Sequence, residues 1–504
     1  MKKHTGGTKS VWMATEKTLR GSPLIQDWEC DVCIVGGGIA ELSIAYMLAK
    51  EGKRVVVLEA GEIGNGETER TTAHLSNALD DRYSEIERIH GKEKAKLVWE
   101  SHSWAIDQIE KNSRAEEIEC DFTRLDGYLF LGKNDTEDTL TKELKSIKEI
   151  GITNVEKVLN ILLFPQSGPA LKFKNQAQFH PLKYLHGLTN AIEKRGGRIF
   201  THTKVKEIVD KEDTYVETEN GLQVKADSVV VATNSPIHDN LWIHTKQAAY
   251  RTYVIAYEVE KGTVQKNLYW DTEDPYHYVR IVEDNGNDIV LIGGEDHKTG
   301  QQDENHDPYV FLRQWAEEVL GMSGEPKDCW SGQVMETIDG LAYIGRDPKY
   351  KHIYIVTGDS GMGMTHSTIA SVLIPDLINE RKNNWEEIYD PARKPVKAIR
   401  EFLKESINMA AQLPDKILKR DVHSVSDISS GEGAVISEYG KKIAAYKDEQ
   451  GVLTKCSAVC PHLGCIVDWN NEEKSWDCPC HGSRFTAKGK VIAGPAVSDL
   501  SKEL

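Results

Sequence analysis

Apolar positions along the chain fall in short runs. Val55–Leu58 is strand-sized, and no stretch approaches the ~20 apolar residues that a bilayer requires. The order is clearest in CDVCIVGGGIAELSIAYMLAKEGKRVVVLEA, residues 30–60. An apolar strand runs into a glycine turn. Next comes a segment with Leu42, Ala45, Tyr46 and Ala49 on one side, the spacing of a helix, and then a second strand ending at Glu59. The pattern predicts a βαβ unit. Cys30 and Cys33, three apart on the first strand, are expected on opposite faces, which argues against a shared metal. Far downstream, Val396–Met409 predicts an amphipathic helix, Pro414 a break, and a small separate domain begins near Val422.

Length and charge narrow the picture. A chain of 504 residues has room for two or three domains, since single cores rarely exceed ~250–300 residues. Acidic residues outnumber basic ones, 79 to 62, for a net charge of −17. With no basic block, nucleic acid and anionic membrane are excluded as expected partners. The N-terminus has two lysines but no apolar segment after them, so no secretory signal is expected and cytoplasm is the default. In that compartment clustered cysteines point to metal before disulfides.

The glycine turn has a chemical reading. Gly36 permits the tight turn, Gly37 and Gly38 let backbone approach a pyrophosphate where Ile39 opens the helix, and Glu59, followed by Ala60, can take ribose hydroxyls. The third glycine of this pattern is replaced by Glu41. Either the helix shifts outward with Glu41 reaching solvent, or cofactor binding is weakened.

Near the end, VCPHLGCIVDWNNEEKSWDCPCHGS (459–483) gathers four of nine cysteines. Cys460-x-His462 and Cys478-x-x-His481 are two loops, each with one thiol and one imidazole. Zinc fingers usually separate their cysteines from their histidines, so spacing argues against zinc. These residues resemble the Rieske iron-sulfur family, whose loops read C-x-H-x-G-C and C-P-C-H-G-S. The resemblance implies that Cys460 and Cys478 hold one iron of a 2Fe-2S cluster and His462 and His481 the other. It further implies a disulfide between Cys465 and Cys480, a cluster-facing Ser483, and a third covering loop at Gly494-Pro495. Phe485 replaces the tyrosine of the highest-potential members, which implies an intermediate potential.

GNGETERTTAHLS (64–76), ADSVVVATN (226–234), WSGQVMETIDGLAYIG (330–345) and IYIVTGDSGMGMTHS (353–367) resemble, in this order, the D-amino-acid oxidase and glycine oxidase group of FAD-dependent oxidoreductases. The resemblance implies that Arg70, Thr71 and Thr72 line the flavin, Val205 touches adenine, and Ala232 and Thr233 pass near the pyrophosphate. It also implies that Gly361, Met362, Gly363 and Met364 open a helix whose amides face the flavin ring. Glu69 departs from the glycine usual before that arginine. His74 is not expected to anchor the flavin covalently. The carboxylate-clamping arginine of glycine oxidases falls at Val334, so Arg251 and Arg280, with Tyr253 and Tyr278, are the substrate candidates. No acid or base is named.

Together the resemblances imply an α/β FAD-binding fold interleaved with an α+β substrate domain over 28–380 and an all-β Rieske domain over 421–504. Within the first part, FAD-binding segments are expected at about 28–110, 180–240 and 335–380, and substrate segments at about 111–179 and 241–334, with a helical linker at 381–420. The expected function is FAD-dependent oxidation of an amine or amino-acid-like small molecule, with electrons leaving through the cluster to a one-electron acceptor protein. A reductase running inward from a donor protein and a noncatalytic redox sensor are the alternatives.

Overall fold

The computed structural model describes residues 8–16, 19, 21–161, 168–238, 241–302, 306–394 and 424–502. The predicted helix 396–409 lies outside them, as does the expected linker from 395 on; its first part, 381–394, is described and contains the short helix Glu386–Tyr389.

The βαβ unit forms as the pattern predicts. Trp28–Val35 pairs in parallel with Val55–Leu58 and with Gln223–Val231, and the latter pairs with Ile353–Thr357. Strands buried on both faces suit such a sheet, and Val55–Leu58 is buried at every position. Helices Ile39–Lys50 and Gly363–Ile378 are apolar nearly all round because they pack within one core cluster. Trp28–Val35 carries one irregularity: the amides of Asp31 and Val32 both bond to the Arg54 carbonyl. Cys30 and Cys33 consequently join the same core cluster instead of opposite faces, a correction to the strict two-residue period.

The chain leaves this sheet twice to build a second, nine-stranded one. It runs from Asp328–Thr337 through Gln247–Val259, Asn287–Lys298, Tyr278–Asp284 and Leu268–Asp271 to Thr123–Phe130, Ala170–Gln178 and His74–Leu75. The C-terminal residues make a three-stranded sheet, Glu432–Glu438, Lys441–Lys447 and Leu453–Ser457. A four-stranded one follows, Asp468–Asn470, Ser475–Asp477, Arg484–Thr486 and Val491–Ala493. Trp469 and Trp476 pack this small core with ring centroids 4.8 Å apart. Among the described residues no helix is long and apolar enough to cross a membrane.

Candidate redox centres at a shared wall

One large cavity lies above the carboxyl ends of the parallel strands, the place where open α/β sheets bind ligands. Gly36, Gly37, Gly38 and Ile39 line it at the helix start, with Glu59 and Ala60 at the second strand. Arg70, Thr71 and Thr72 line it, as do Val205, Ala232 and Thr233, and Gly361, Met362, Gly363 and Met364. The donor set fits a dinucleotide. Gly36 has φ +113°, and a methyl on it would collide with the Glu41 carboxyl. At the helix start Gly38 offers no side-chain cap of its own; the Ile39 amide donates to Thr68 Oγ1 at 3.1 Å and the Gly38 and Glu41 amides to the Glu41 carboxyl. Glu59 accepts from the Gly61 amide at 2.6 Å.

Glu41 does not reach solvent. It is 4% exposed, with its carboxyl folded back over Gly36 and Gly38. Burial pushes it up to about 8, against bonds from the Glu41 and Gly38 amides and with repulsion from Glu59. The helix therefore stays in place with a largely neutral carboxyl beside the phosphate position.

Three substrate candidates are elsewhere. Arg251 is fully buried outside the cavity, donates to Ser331 Oγ, and is flanked by Arg484, Glu473 and Asp477 of the C-terminal unit. Arg280 is consumed by carbonyls, those of Thr72, Ala73 (2.7 Å) and Phe179 (2.6 Å), and lies over the Trp12 ring. Tyr253 bonds to His297 Nε2 at 2.9 Å, away from the cavity. Only Tyr278 of the four lines the cavity, with Val334 and His74 nearby. Tyr278 shares a 2.9 Å hydroxyl contact with Thr252. Burial pushes His74 down to about 3.

The cavity wall is acidic instead. Glu67, Asp80 and Asp359 line it. Burial, then repulsion among neighbouring carboxylates that include Asp296 and Glu336, pushes Asp80 up to about 7, although Tyr276 donates to it at 2.9 Å. Asp359 rises to about 6 and Asp296 to about 7, burial being the main cause in both.

The N-terminal segment was not legible as part of this site. Ser10 Oγ donates to the Glu69 carbonyl at 2.5 Å and Trp12 Nε1 to that of Thr71 at 2.6 Å, so a short helix holds the loop that carries Arg70. Glu69 itself is buried.

The two Cys/His loops face each other. Cys460 and Cys478 are each 1% exposed, and their thiols are in hydrogen-bond contact, which pulls Cys460 down and, with burial, pushes Cys478 up. The His462 and His481 rings lie 5.0 Å apart, nearly perpendicular, and His481 Nδ1 is buried without a hydrogen-bond partner. Two close thiols and two facing imidazoles are a donor set that suits a thiolate/imidazole cluster. Cys465 and Cys480 are joined by a disulfide, leaving Cys460 and Cys478 as the thiols of the pair of loops. Ser483 Oγ accepts from the Ala496 amide at 3.0 Å, tying the second loop to the Gly494-Pro495 segment.

The segment that Ser483 ties to these loops forms part of the cavity wall. Val491, Ile492, Ala493, Gly494, Ala496 and Val497 line the same cavity as the glycine turn, and Lys204 donates to the Val497 carbonyl at 2.6 Å. His244 sits 5.1 Å and 5.3 Å from the His462 and His481 rings. Behind them, Glu473 is fully buried. Ser331 donates to it at 2.5 Å, and Arg70 and Arg484 lie 3.7 and 3.9 Å away. No local pattern flags His244, Ser331 or Glu473, whose meaning depends on partners far along the chain.

Residues 31–377 match the family of FAD dependent oxidoreductases and residues 419–502 the Rieske [2Fe-2S] domain. The chain is 34% identical over 98% of its length, and 97% of the relative's, to YhfW of Bacillus subtilis, named as a Rieske 2Fe-2S iron-sulfur protein. It is 27% identical to gamma-glutamylputrescine oxidoreductase of Escherichia coli, over 69% of this chain and 83% of that one. Glycine oxidase from Geobacillus kaustophilus shares the fold, with a TM-score of 0.61 at 19% identity over 73% of this chain and 99% of that one.

Proposed function

Since the chain belongs to the FAD-dependent oxidoreductase family and carries a Rieske 2Fe-2S domain, we propose that it oxidises a cationic amine and delivers the electrons singly, through the cluster, to an external one-electron acceptor protein. One observation carries this reading: the cluster-bearing unit and the glycine turn line one cavity, so both centres share a wall. When bound, FAD takes up electrons in a pair and the cluster passes them one at a time. Overall, an amine loses two electrons and two protons to become an imine, water hydrolyses the imine, and two acceptor molecules each gain one electron.

The chain's own residues divide this work. Gly36–Gly38 would let backbone approach the pyrophosphate at the helix start, where Thr68 and the Glu41 carboxyl now take the Ile39 and Gly38 amides, and Glu59 would face the ribose position. The start of Gly363–Ile378 supplies amides that stabilise negative charge on the ring. Cys460, Cys478, His462 and His481 hold the cluster. Asp80, Asp359 and Glu67 form an acidic wall, while the guanidinium groups of Arg70, at the cavity edge, and of Arg251 and Arg280 are taken up by Ser331 and by main-chain carbonyls. That balance favours an ammonium group and offers no fork for a carboxylate. The relative that acts on gamma-glutamylputrescine is in keeping with a C–N substrate.

Anaerobic mixing of the purified holoprotein with a panel of amines, diamines and N-methylated amino acids tests the proposal. Flavin bleaching by amines, followed by the EPR signal of a reduced cluster, is the expected result. Reduction of the flavin only by a reduced donor protein, through the cluster, would establish the inward direction and overturn it.

A further inference from the structure

Gln333 stands where the two centres meet. It lies on Asp328–Thr337, is 4% exposed, and lines the cavity with Gly332 and Val334. Its backbone amide donates to Glu67 Oε2, on the cavity wall, at 2.6 Å. Its side chain runs the other way: Nε2 donates to the Gly482 carbonyl at 2.9 Å, with Thr299 Oγ1 at 3.5 Å. Gly482 directly follows His481, and its amide bonds back to the Cys478 carbonyl at 3.0 Å. At φ +77° Gly482 lies flush on the strands, where a methyl would collide with Ala249 and with Gln333 itself. Main chain on the cavity and side chain on the peptide of a cluster loop make Gln333 a direct link between the two.

We propose that Gln333 is the positioning residue for electron transfer between flavin and cluster, holding the Gly482–Ser483 peptide, directly after His481, against the cavity wall. The inference rests on the relay proposed above. Each crossing moves one electron from reduced flavin to oxidised cluster and releases a proton to solvent; the cluster gives that electron to an acceptor protein before the next crossing. Tunnelling weakens steeply across a gap that no bond or hydrogen bond spans, so loss of the amide slows the crossing without altering either centre.

Laser-flash photoreduction of the holoprotein with 5-deazaflavin and EDTA needs no substrate and follows cluster reduction as the flavin reoxidises. In Gln333→Leu the transfer rate is expected to fall at least tenfold, while FAD content, cluster EPR spectrum, cluster midpoint potential and melting temperature stay at wild-type values. Gly482→Ala probes the same contact from the other side and should also slow transfer. Wild-type rates in both variants overturn the proposal, and so does slowing that appears only together with loss of a cofactor signal. A wild-type protein that passes no electron to its cluster sinks the relay itself instead.

Discussion

Glu41 places a carboxyl where this class of turn tolerates little beyond hydrogen, and the fold accommodates it by keeping it largely neutral. Its folded-state value, about 8, lies above the ordinary 4.5. Its contribution to stability is therefore complete below the ordinary carboxylate range and is lost as pH rises through about 8. Ionised, it would oppose the pyrophosphate. FAD binding to apoprotein should weaken above pH 8, approaching about tenfold per unit, and Glu41→Gln should flatten that profile. Fluorescence titrations from pH 6 to 9 giving parallel profiles for both proteins would reject this role. Asp80 has the opposite duty. It must ionise to hold a cation, so KM for a cationic amine should fall as pH rises through 6 to 7, the range of Asp359 and Asp80. Asp80→Asn should raise KM about tenfold or more, in line with ~1.4 kcal/mol or more of lost attraction, with a smaller effect on a neutral analogue in steady-state assays.

The strand Asp328–Thr337 and the turn around Glu473 carry the junction between the two units. Despite burial, which pulls the other way, Arg70, Arg251 and Arg484 hold Glu473 below the usual carboxylate range. Glu473→Gln leaves those guanidinium groups facing one another without their common counter-charge. Breaking a buried pair in this way typically costs about 3–5 kcal/mol, so a lower denaturation midpoint is expected in urea; an unchanged midpoint would show the cluster to be inert. This junction also marks what was legible beforehand. The glycine turn and the Cys/His loops could be read because their chemistry is confined to a few neighbouring residues. Arg251 drew attention as a carboxylate clamp because a lone arginine on a strand does not announce its partner: Ser331 and Glu473, which complete its surroundings, are themselves 142 residues apart. Arg280 was opaque for another reason. It is satisfied by carbonyls, which every residue possesses. Glu41 was recognised as a misfit, but burial alone decided between its two possible orientations.

Across the whole molecule, the relay separates substrate chemistry from delivery. His481→Ala removes the orphaned Nδ1 of the second loop and should abolish the cluster signal. An amine should still bleach the flavin of this variant anaerobically, while reduction of a one-electron acceptor protein should drop by about two orders of magnitude or more, as expected when a required step is lost. Undiminished acceptor reduction, followed by absorbance, would mean that the flavin discharges directly. Arg70 has a bearing at this scale too. It borders the FAD cavity and reaches Glu473 in the iron-binding unit, so one side chain answers to both prosthetic groups. Where filling one seat firms up the other through this side chain, thermodynamic reciprocity makes the reverse hold to the same extent. Iron starvation would surface as protein that lets go of its yellow colour, and flavin depletion as protein slow to acquire iron and sulfide.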